Sequence, residues 1–169
     1  MKLCIFDVDG TLVESKSGAT FRKSADDWQW MPGRLEKLKM LRESDIKLAV
    51  ATNQGGVAFG YFEKSDITRE ILKVVEGMTG ISYYPSALYI CYTHPKAKIE
   101  EYQKDDDIRR KPGPGMLLEA METFGVGPKD TLFVGDREED RLAAEAAKID
   151  FEWAWAYFGD SPSSSREPL

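Results

Sequence analysis

The sequence has few of the residues that form disulfides or bind zinc. It contains two cysteines, Cys4 and Cys91, and one histidine, His94, among 169 residues. Both cysteines lie within apolar segments, so we expect two buried thiols rather than a disulfide. A single histidine excludes catalytic schemes that need a histidine pair, and its position three residues after Cys91 is weak evidence for a metal site.

Excess positive charge and long apolar segments are also absent from the sequence. The chain carries 23 Lys and Arg against 29 Asp and Glu, a formal net charge of −6. This balance argues against broad electrostatic binding to nucleic acid or to an anionic membrane. The apolar run after Lys2 is interrupted at Asp7, which is too early for a secretory signal, and no segment approaches the length of a membrane span. We therefore expect a soluble, cytoplasmic protein.

Short apolar segments alternate with segments of helical spacing along the chain. The expected strands are residues 3–6, 46–51, 87–92, 131–135 and 151–158, and the expected helices are 33–43, 65–78, 115–124 and 138–148. This alternation predicts an α/β fold, a Rossmann-like three-layer sandwich with a mainly parallel central sheet of about five strands. We expect one domain over residues 1–158. The polar segment 159–169, rich in Ser and Pro, is expected to be a flexible tail.

Two aspartates end the first apolar segment, "LCIFDVDGTLV", residues 3–13. Side chains two positions apart on a strand share a face, so Asp7 and Asp9 are expected to project together from its carboxyl end. Ligands of parallel sheets bind beyond that edge. Two neighbouring carboxylates repel each other, and the pattern therefore implies a bound cation or a shared proton.

Four short motifs follow one another in a recognisable order. They are "DVDGTLV" at 7–13, "ATNQGG" at 51–56, "RKPGPGM" at 110–116 and "VGDREED" at 134–140. In this order the motifs resemble those of the haloacid dehalogenase superfamily of phosphatases, and the resemblance spans most of the chain.

The resemblance implies roles for the acidic residues. Asp7 would be the nucleophile that forms an aspartyl phosphate, and Asp9 would donate and later accept a proton. The Asp7 side chain, the main-chain carbonyl of Asp9 and the Asp136 side chain would bind Mg²⁺, which offsets the repulsion between carboxylate and phosphate. Asp140 is expected to cap a helix or support the site rather than bind the ion directly.

The other motifs supply donors and positive charge. Thr52 and Lys111 complete the catalytic set that the resemblance implies, because a hydroxyl and an ammonium can contact phosphate oxygens and Asp7. Asn53, Gln54 and Arg110 are expected to bind the substrate, the arginine at a second acceptor group.

The intervals between the motifs leave no room for a large cap domain. We expect an open site covered at most by a flap, residues 10–30. The motifs are similar to those of the branch that contains histidinol-phosphate, heptose bisphosphate and polynucleotide 3′-phosphatases. The zinc loop of heptose bisphosphate phosphatases is incomplete here: Cys91 is kept, but Thr93, Asp107 and Arg109 stand at the other ligand positions. We therefore expect no zinc.

The flap provides the main indication of substrate class. "SKSGATF" at 15–21 and "DDW" at 26–28 resemble the flap of polynucleotide 3′-phosphatase domains. Lys16, together with Arg22 and Lys23, could contact a phosphodiester backbone, while Trp28 or Trp30 could stack on a base. The alternative, that these residues only fold the flap and pack its aromatic rings inward, is equally consistent with the sequence.

The leading hypothesis is a Mg²⁺-dependent phosphomonoesterase whose favoured substrate is a polynucleotide 3′-phosphate end. A phosphatase of a small metabolite, of the sugar phosphate or histidinol phosphate type, is the close alternative. A non-catalytic phosphate-binding module and a phosphotransferase with an acceptor other than water are further alternatives.

Overall fold

A computed structural model describes residues 1–161. Five parallel strands form the central sheet: β1 (Leu3–Phe6), β4 (Lys47–Asn53), β5 (Leu88–Cys91), β6 (Thr131–Gly135) and β7 (Asp150–Trp153). Their order across the sheet is β5, β4, β1, β6, β7. The first strand therefore lies in the centre of the sheet, paired in parallel with β4 on one side and β6 on the other. The α/β fold with a parallel five-stranded sheet is confirmed.

Helices cover both faces of the sheet. They are α1 (Arg34–Glu43), α2 (Lys64–Thr79), α3 (Gly115–Phe124), α4 (Glu138–Ala147) and α5 (Ala154–Phe158). Alternate residues of β1 enter two different cores: Cys4 and Phe6 pack with α1 and α2, whereas Leu3 and Ile5 pack with α3 and α4. This explains why β1 is apolar at every position, since neither face of the strand meets water.

A small hairpin forms the base of the flap. β2 (Val13–Glu14) pairs in antiparallel register with β3 (Gln29–Trp30). Trp30 packs against Gly77 of α2, where an added Cβ would lie 2.7 Å from the indole. The absence of a side chain at Gly77 therefore lets the flap base pack directly on the helix. As expected, no large cap domain is present among residues 1–161.

Most predicted elements are found close to their expected bounds, and the last strand is the main error. The segment 151–158 was expected to be one strand, with Trp153 and Trp155 on a common face. Strand β7 ends at Trp153 and the chain continues as α5, so Trp155 belongs to a helix. In α5, Tyr157 and Phe158 both contact the Phe6 ring at 6.0 Å between centroids. Packing on this buried ring requires the chain to turn, which overrides the strand preference of the aromatic residues.

The start of the expected tail belongs to the folded domain. Arg34 is buried and donates to both carboxylate oxygens of Asp160, at 2.5 and 2.8 Å. The guanidinium also lies over the Phe158 ring, 4.2 Å from its centroid. Asp160, within the segment expected to be a flexible tail, is therefore bound to the domain, and residues 162–169 of that segment lie outside the described part of the chain. In residues 1–161, no helix is long and apolar enough to cross a membrane.

Candidate active site

The predicted catalytic residues meet at the carboxyl edge of the sheet. Asp7 directly follows β1, Thr52 lies near the end of β4, and Asp136 directly follows β6. Because β1 lies between β4 and β6, the three strand ends are adjacent. The fold therefore brings together residues that are far apart in the sequence.

The loop after β1 requires glycine at position 10. Gly10 has a φ of 85°, in the left-handed region that side chains disfavour. A Cβ at this position would lie 2.1 Å from Asp136 Oδ2. The loop can therefore bring the carboxylates of Asp7 and Asp136 together only because residue 10 has no side chain. Thr11, which follows, donates to Asp136 Oδ1 at 3.3 Å.

A buried lysine connects two of the carboxylates. Lys111 Nζ donates to Asp7 Oδ1 at 2.8 Å and to Asp140 Oδ1 at 2.6 Å. The other oxygen of Asp140 accepts the main-chain N–H groups of Asp136 and Arg137. Asp140 thus caps the start of α4 and orients Lys111, in agreement with the expected supporting role.

Burial dominates the electrostatics of this group. It raises the pKa of Asp7 to about 7, an effect that nearby Lys111 opposes and nearby Asp136 reinforces. Burial also raises the pKa of Asp136. For Lys111, burial alone would lower the pKa, but the charges of Asp140 and Asp7 outweigh it and the pKa is raised. Without a bound metal ion, Lys111 therefore keeps its positive charge. Asp7 and Asp136 lose their protons less readily than an exposed aspartic acid does.

The acidic residues form a candidate metal centre. Asp7, Asp136 and Asp140 each offer a carboxylate oxygen, and these atoms all lie within 4.8 Å of one another. Since Asp140 is engaged by Lys111 and two main-chain amides, Asp7 and Asp136 are the side chains better placed to bind an ion. Hard oxygen ligands of this kind suit Mg²⁺. The metal-binding role of the Asp9 carbonyl remains a prediction.

Asp9 is held between two side chains that lie far from it in the sequence. Arg22 Nε donates to Asp9 Oδ1 at 2.8 Å, and Gln54 Nε2 donates to Asp9 Oδ2 at 2.9 Å. The same Gln54 nitrogen lies 2.8 Å from Thr52 Oγ1. Gln54, expected to bind substrate, therefore orients two of the predicted catalytic residues. No pattern in the sequence indicated that Arg22 would reach Asp9.

Asn53 also has a protein partner. Its Nδ2 donates to the Lys111 carbonyl and its Oδ1 accepts the Lys111 N–H, both at 3.0 Å. This double hydrogen bond fixes the main chain from which the Lys111 side chain extends. The structure thus gives Asn53 a positioning contact, and its expected contact with the substrate remains a prediction.

The loop before the third motif is closed by hydrogen bonds at the incomplete zinc positions. Asp107 Oδ2 accepts the Thr93 hydroxyl at 2.7 Å and lies 3.6 Å from Cys91 Sγ. Asp107 Oδ1 accepts the Arg109 N–H at 2.9 Å. The four positions therefore cluster in space, and polar contacts join them. Arg110 donates to the Thr93 carbonyl at 2.9 Å while lining the cavity described below.

The flap is organised around Asp27. Its carboxylate accepts the N–H and hydroxyl of Ser17 and the N–H of Lys23, at 2.6 to 2.9 Å. The tryptophans point inward: Trp28 donates to Glu70 of α2 at 2.8 Å and packs with Trp30 against the core. The alternative reading of the flap, in which its aromatic rings pack inward, matches this arrangement. Lys16 is exposed and lies outside the residues that line the cavity.

The flap, the strand ends and α5 enclose a cavity of about 500 Å³. Its lining contains Asp7, Asp9, Thr52, Arg110, Lys111 and Asp136, together with aromatic residues that include Phe59, Tyr61 and Trp153. Phosphate-sized anions can approach Asp7 here beside several positive groups. Asp160, which sequence reasoning placed in the tail, also lines this cavity.

Comparison with known proteins agrees with this geometry. A model of the polynucleotide kinase 3 phosphatase family matches residues 2–160. The chain belongs to this family of haloacid dehalogenase phosphatases. The superfamily expected from the four motifs is thereby confirmed.

Several relatives act on a small sugar phosphate, according to their names. The chain is 36% identical over 156 residues to D-glycero-beta-D-manno-heptose-1,7-bisphosphate 7-phosphatase of Pasteurella multocida, covering 88% of this chain and 79% of that one. It is 35% identical to the enzyme of the same name from Photorhabdus laumondii, covering 73% and 65%. The crystal structure of D,D-heptose 1,7-bisphosphate phosphatase from B. bronchiseptica, complexed with magnesium and phosphate, has a TM-score of 0.69 at 30% identity, covering 89% and 79%.

Proposed function

We propose that this protein is a Mg²⁺-dependent phosphomonoesterase that acts on a small phosphorylated metabolite of the sugar phosphate type. The observation that carries the proposal is the arrangement of Asp7, Lys111 and Asp136 at the floor of a cavity closed by a folded flap. The named activity of the relatives and the magnesium and phosphate bound in one related crystal structure support it.

The proposed reaction has two chemical steps. In the first, an Asp7 oxygen forms a bond to phosphorus while the bond from phosphorus to the substrate oxygen breaks, and Asp9 gives its proton to that oxygen. In the second, Asp9 takes a proton from water as the water oxygen attacks phosphorus, which releases Asp7 and inorganic phosphate. The contacts with Arg22 and Gln54 orient the Asp9 carboxyl group, and its side chain stays 40% exposed, so water can reach it for the second step.

Hydrogen-bond donors, one of them charged, hold the phosphoryl group during these steps. Lys111 contacts Asp7 directly, and Thr52 offers its hydroxyl beside Asp9. Such donors stabilise the charge that develops on the equatorial oxygens. When bound between Asp7 and Asp136, a Mg²⁺ ion would neutralise the repulsion between nucleophile and phosphate. Arg110, on the cavity wall, is the proposed contact for a second acceptor group of the substrate.

A polynucleotide 3′-phosphate is the competing substrate, favoured by the name of the matching family. The flap gives this reading less support, because Trp28 and Trp30 pack inward and Lys16 lies away from the cavity. The chain also has a net charge of −6, so it offers no excess of positive side chains to bind a phosphodiester backbone.

Phosphate release from a matched panel tests the proposal. The panel contains heptose 1,7-bisphosphate, hexose phosphates, histidinol phosphate and a 3′-phosphorylated oligonucleotide, each assayed with Mg²⁺ and with the Asp7→Asn variant as the inactive control. We expect kcat/KM to be at least tenfold higher for a sugar phosphate than for the oligonucleotide. A preference for the oligonucleotide would overturn the proposed substrate class, and full activity of Asp7→Asn would overturn the mechanism.

A further inference from the structure

One arginine of the flap reaches back into the active site. Arg22 lies between β2 and β3, and its side chain is only 5% exposed. Its Nε donates to Asp9 Oδ1 at 2.8 Å, and its Nη1 donates to the carbonyl of Ala25 in the same flap at 2.8 Å. The guanidinium group therefore joins the flap to the residue that exchanges the proton.

The third nitrogen of this guanidinium is unpaired. Arg22 Nη2 is buried and has no hydrogen-bond partner among residues 1–161. A buried N–H group without an acceptor is unfavourable, and native proteins rarely leave one in that state. Since Arg22 lines the cavity, a bound ligand can supply the missing acceptor.

The position of the unpaired nitrogen indicates which part of a ligand would meet it. Asp9 Oδ1 is bound to Arg22 and Oδ2 to Gln54, so the guanidinium lies on the Asp9 side of the cavity, next to the leaving oxygen in the proposed mechanism. Lys111, in contrast, serves the Asp7 side. The acceptor for Nη2 would therefore belong to the alcohol part of the substrate and not to its phosphoryl group.

We propose that Arg22 is a positioning residue that orients Asp9 for proton transfer, and that its Nη2 donates to a hydroxyl oxygen next to the scissile ester. The proposal rests on the proposed function, because it requires Asp9 to protonate the leaving oxygen. It adds a consequence that the motifs do not contain: both carboxylate oxygens of the proton donor are held only when the flap is folded over the site. Specificity for a polyhydroxylated alcohol and proton transfer then depend on the same side chain.

Two substrates whose leaving groups differ in basicity distinguish a role of Arg22 in proton transfer from a general role in stabilising the transition state. Arg22→Ala and Arg22→Lys are compared with wild type on a sugar phosphate and on p-nitrophenyl phosphate, whose leaving group needs no proton. The quantity measured is kcat/KM, which reports transfer of the phosphoryl group to Asp7. For Arg22→Ala we expect a loss of about 30- to 100-fold on the sugar phosphate, no more than the lower end of the range for general acid catalysis because Asp9 itself remains, and less than about threefold on the aryl ester.

Matched variants control this comparison. Lys39→Ala removes an exposed cation of α1, outside the cavity lining, and should match wild type on both substrates. Arg22→Lys keeps the charge and should lose less than Arg22→Ala, which makes the test independent of whether the alanine variant folds. Equal losses on both substrates, or no loss on either, would overturn the role of Arg22.

Variants of Asp9 distinguish this inference from the proposed function. Asp9→Asn should show the same selective loss, and the double variant Asp9→Asn with Arg22→Ala should lose little more than Asp9→Asn alone. If Asp9→Asn is selective and Arg22→Ala is not, the inference about Arg22 fails while the function stands. If Asp9→Asn affects both substrates equally, the assigned role of Asp9 fails as well.

A matched pair of small esters tests the contact of Nη2. Glycerol 3-phosphate carries a hydroxyl on the carbon next to the ester carbon. n-Propyl phosphate has the same three-carbon chain and no hydroxyl group. Wild type should favour the glycerol ester, and Arg22→Ala should remove that preference. A preference that persists in Arg22→Ala would overturn the assigned contact.

Discussion

Arg34 and Asp160 form a bidentate salt bridge between the first helix and the end of the described chain, at 2.5 and 2.8 Å. The arginine is 1% exposed and the aspartate 18% exposed at their side chains. Arg34 Nε also donates to the carbonyl of Thr11, next to the catalytic loop. The bridge therefore connects the C-terminal segment with the loop that carries Asp7 and Asp9.

Breaking this bridge should destabilise the protein. Asp160→Asn leaves the buried Arg34 without a counter-charge, and we expect the free energy of unfolding to fall by about 2–3 kcal/mol, at the lower end for a buried pair because Asp160 is partly exposed. Urea denaturation followed by circular dichroism measures the change. Asp150→Asn, at an exposed position, is the control and should unfold like wild type. Identical midpoints for the two variants would contradict the importance of the bridge.

Replacing the nucleophile should abolish activity without harming the fold. Asp7→Asn removes the attacking carboxylate and one of the two neighbouring charges, and turnover should fall at least about a thousandfold. The folded-state pKa of Asp7, about 7, lies above the ordinary aspartate value of 3.8, so its ionisation costs stability as the pH rises through this interval. The melting temperature of Asp7→Asn should therefore match or exceed that of metal-free wild type at pH 8. A large decrease would show that Asp7 is needed for folding.

Magnesium should stabilise the protein in a pH-dependent manner. Burial raises the pKa values of Asp7 and Asp136 in the metal-free state, so protons compete with the ion at low pH. We expect Mg²⁺ to raise the melting temperature more at pH 8 than at pH 5.5, and EDTA to abolish hydrolysis. Asp136→Asn should lose most of the Mg²⁺-dependent shift. Equal shifts at both pH values would place the ion elsewhere.

The flap should open when Asp27 is changed. Hydrogen bonds from the Lys23 main chain and from Ser17 hold the pKa of Asp27 at about 2, below the ordinary aspartate value of 3.8. Its contribution to stability is thus present above pH 3.8 and is lost as the pH falls towards 2. For Asp27→Ala we expect faster proteolysis within residues 15–26 and faster exchange of the Ser17 and Lys23 amides at neutral pH. Asp26→Asn, at an exposed neighbouring position, should behave like wild type.

The sequence contains enough local information to predict the sheet and the acidic centre. Strands β1 and β6 and helix α3 have the bounds expected from their apolar patterns, and Asp7, Thr52 and Asp136 meet because parallel strands end at one edge. The motif resemblance also located Lys111. These successes share one cause, since each depends on residues that are close in sequence or fixed by strand order.

Contacts between distant side chains could not be predicted in the same way. The partners of Asn53 and Gln54 are polar groups of other loops, and an amide side chain does not indicate its partner in the sequence. Arg22 reaches Asp9 only because the flap folds back over the strand end. The transition from β7 to α5 likewise depends on packing against Phe6, a tertiary contact.

The separate locations of Asp7 and of the flap have an evolutionary consequence. The proposed nucleophile, Asp7, follows a strand bonded on both sides, whereas the flap that carries Arg22 begins and ends in a two-stranded hairpin outside the central sheet. Changes in flap length or composition can therefore accumulate without disturbing Asp7. In a lineage of such enzymes, exchange of the flap would change both the metabolite accepted and the hold on Asp9, whereas the position of Asp7 would be kept.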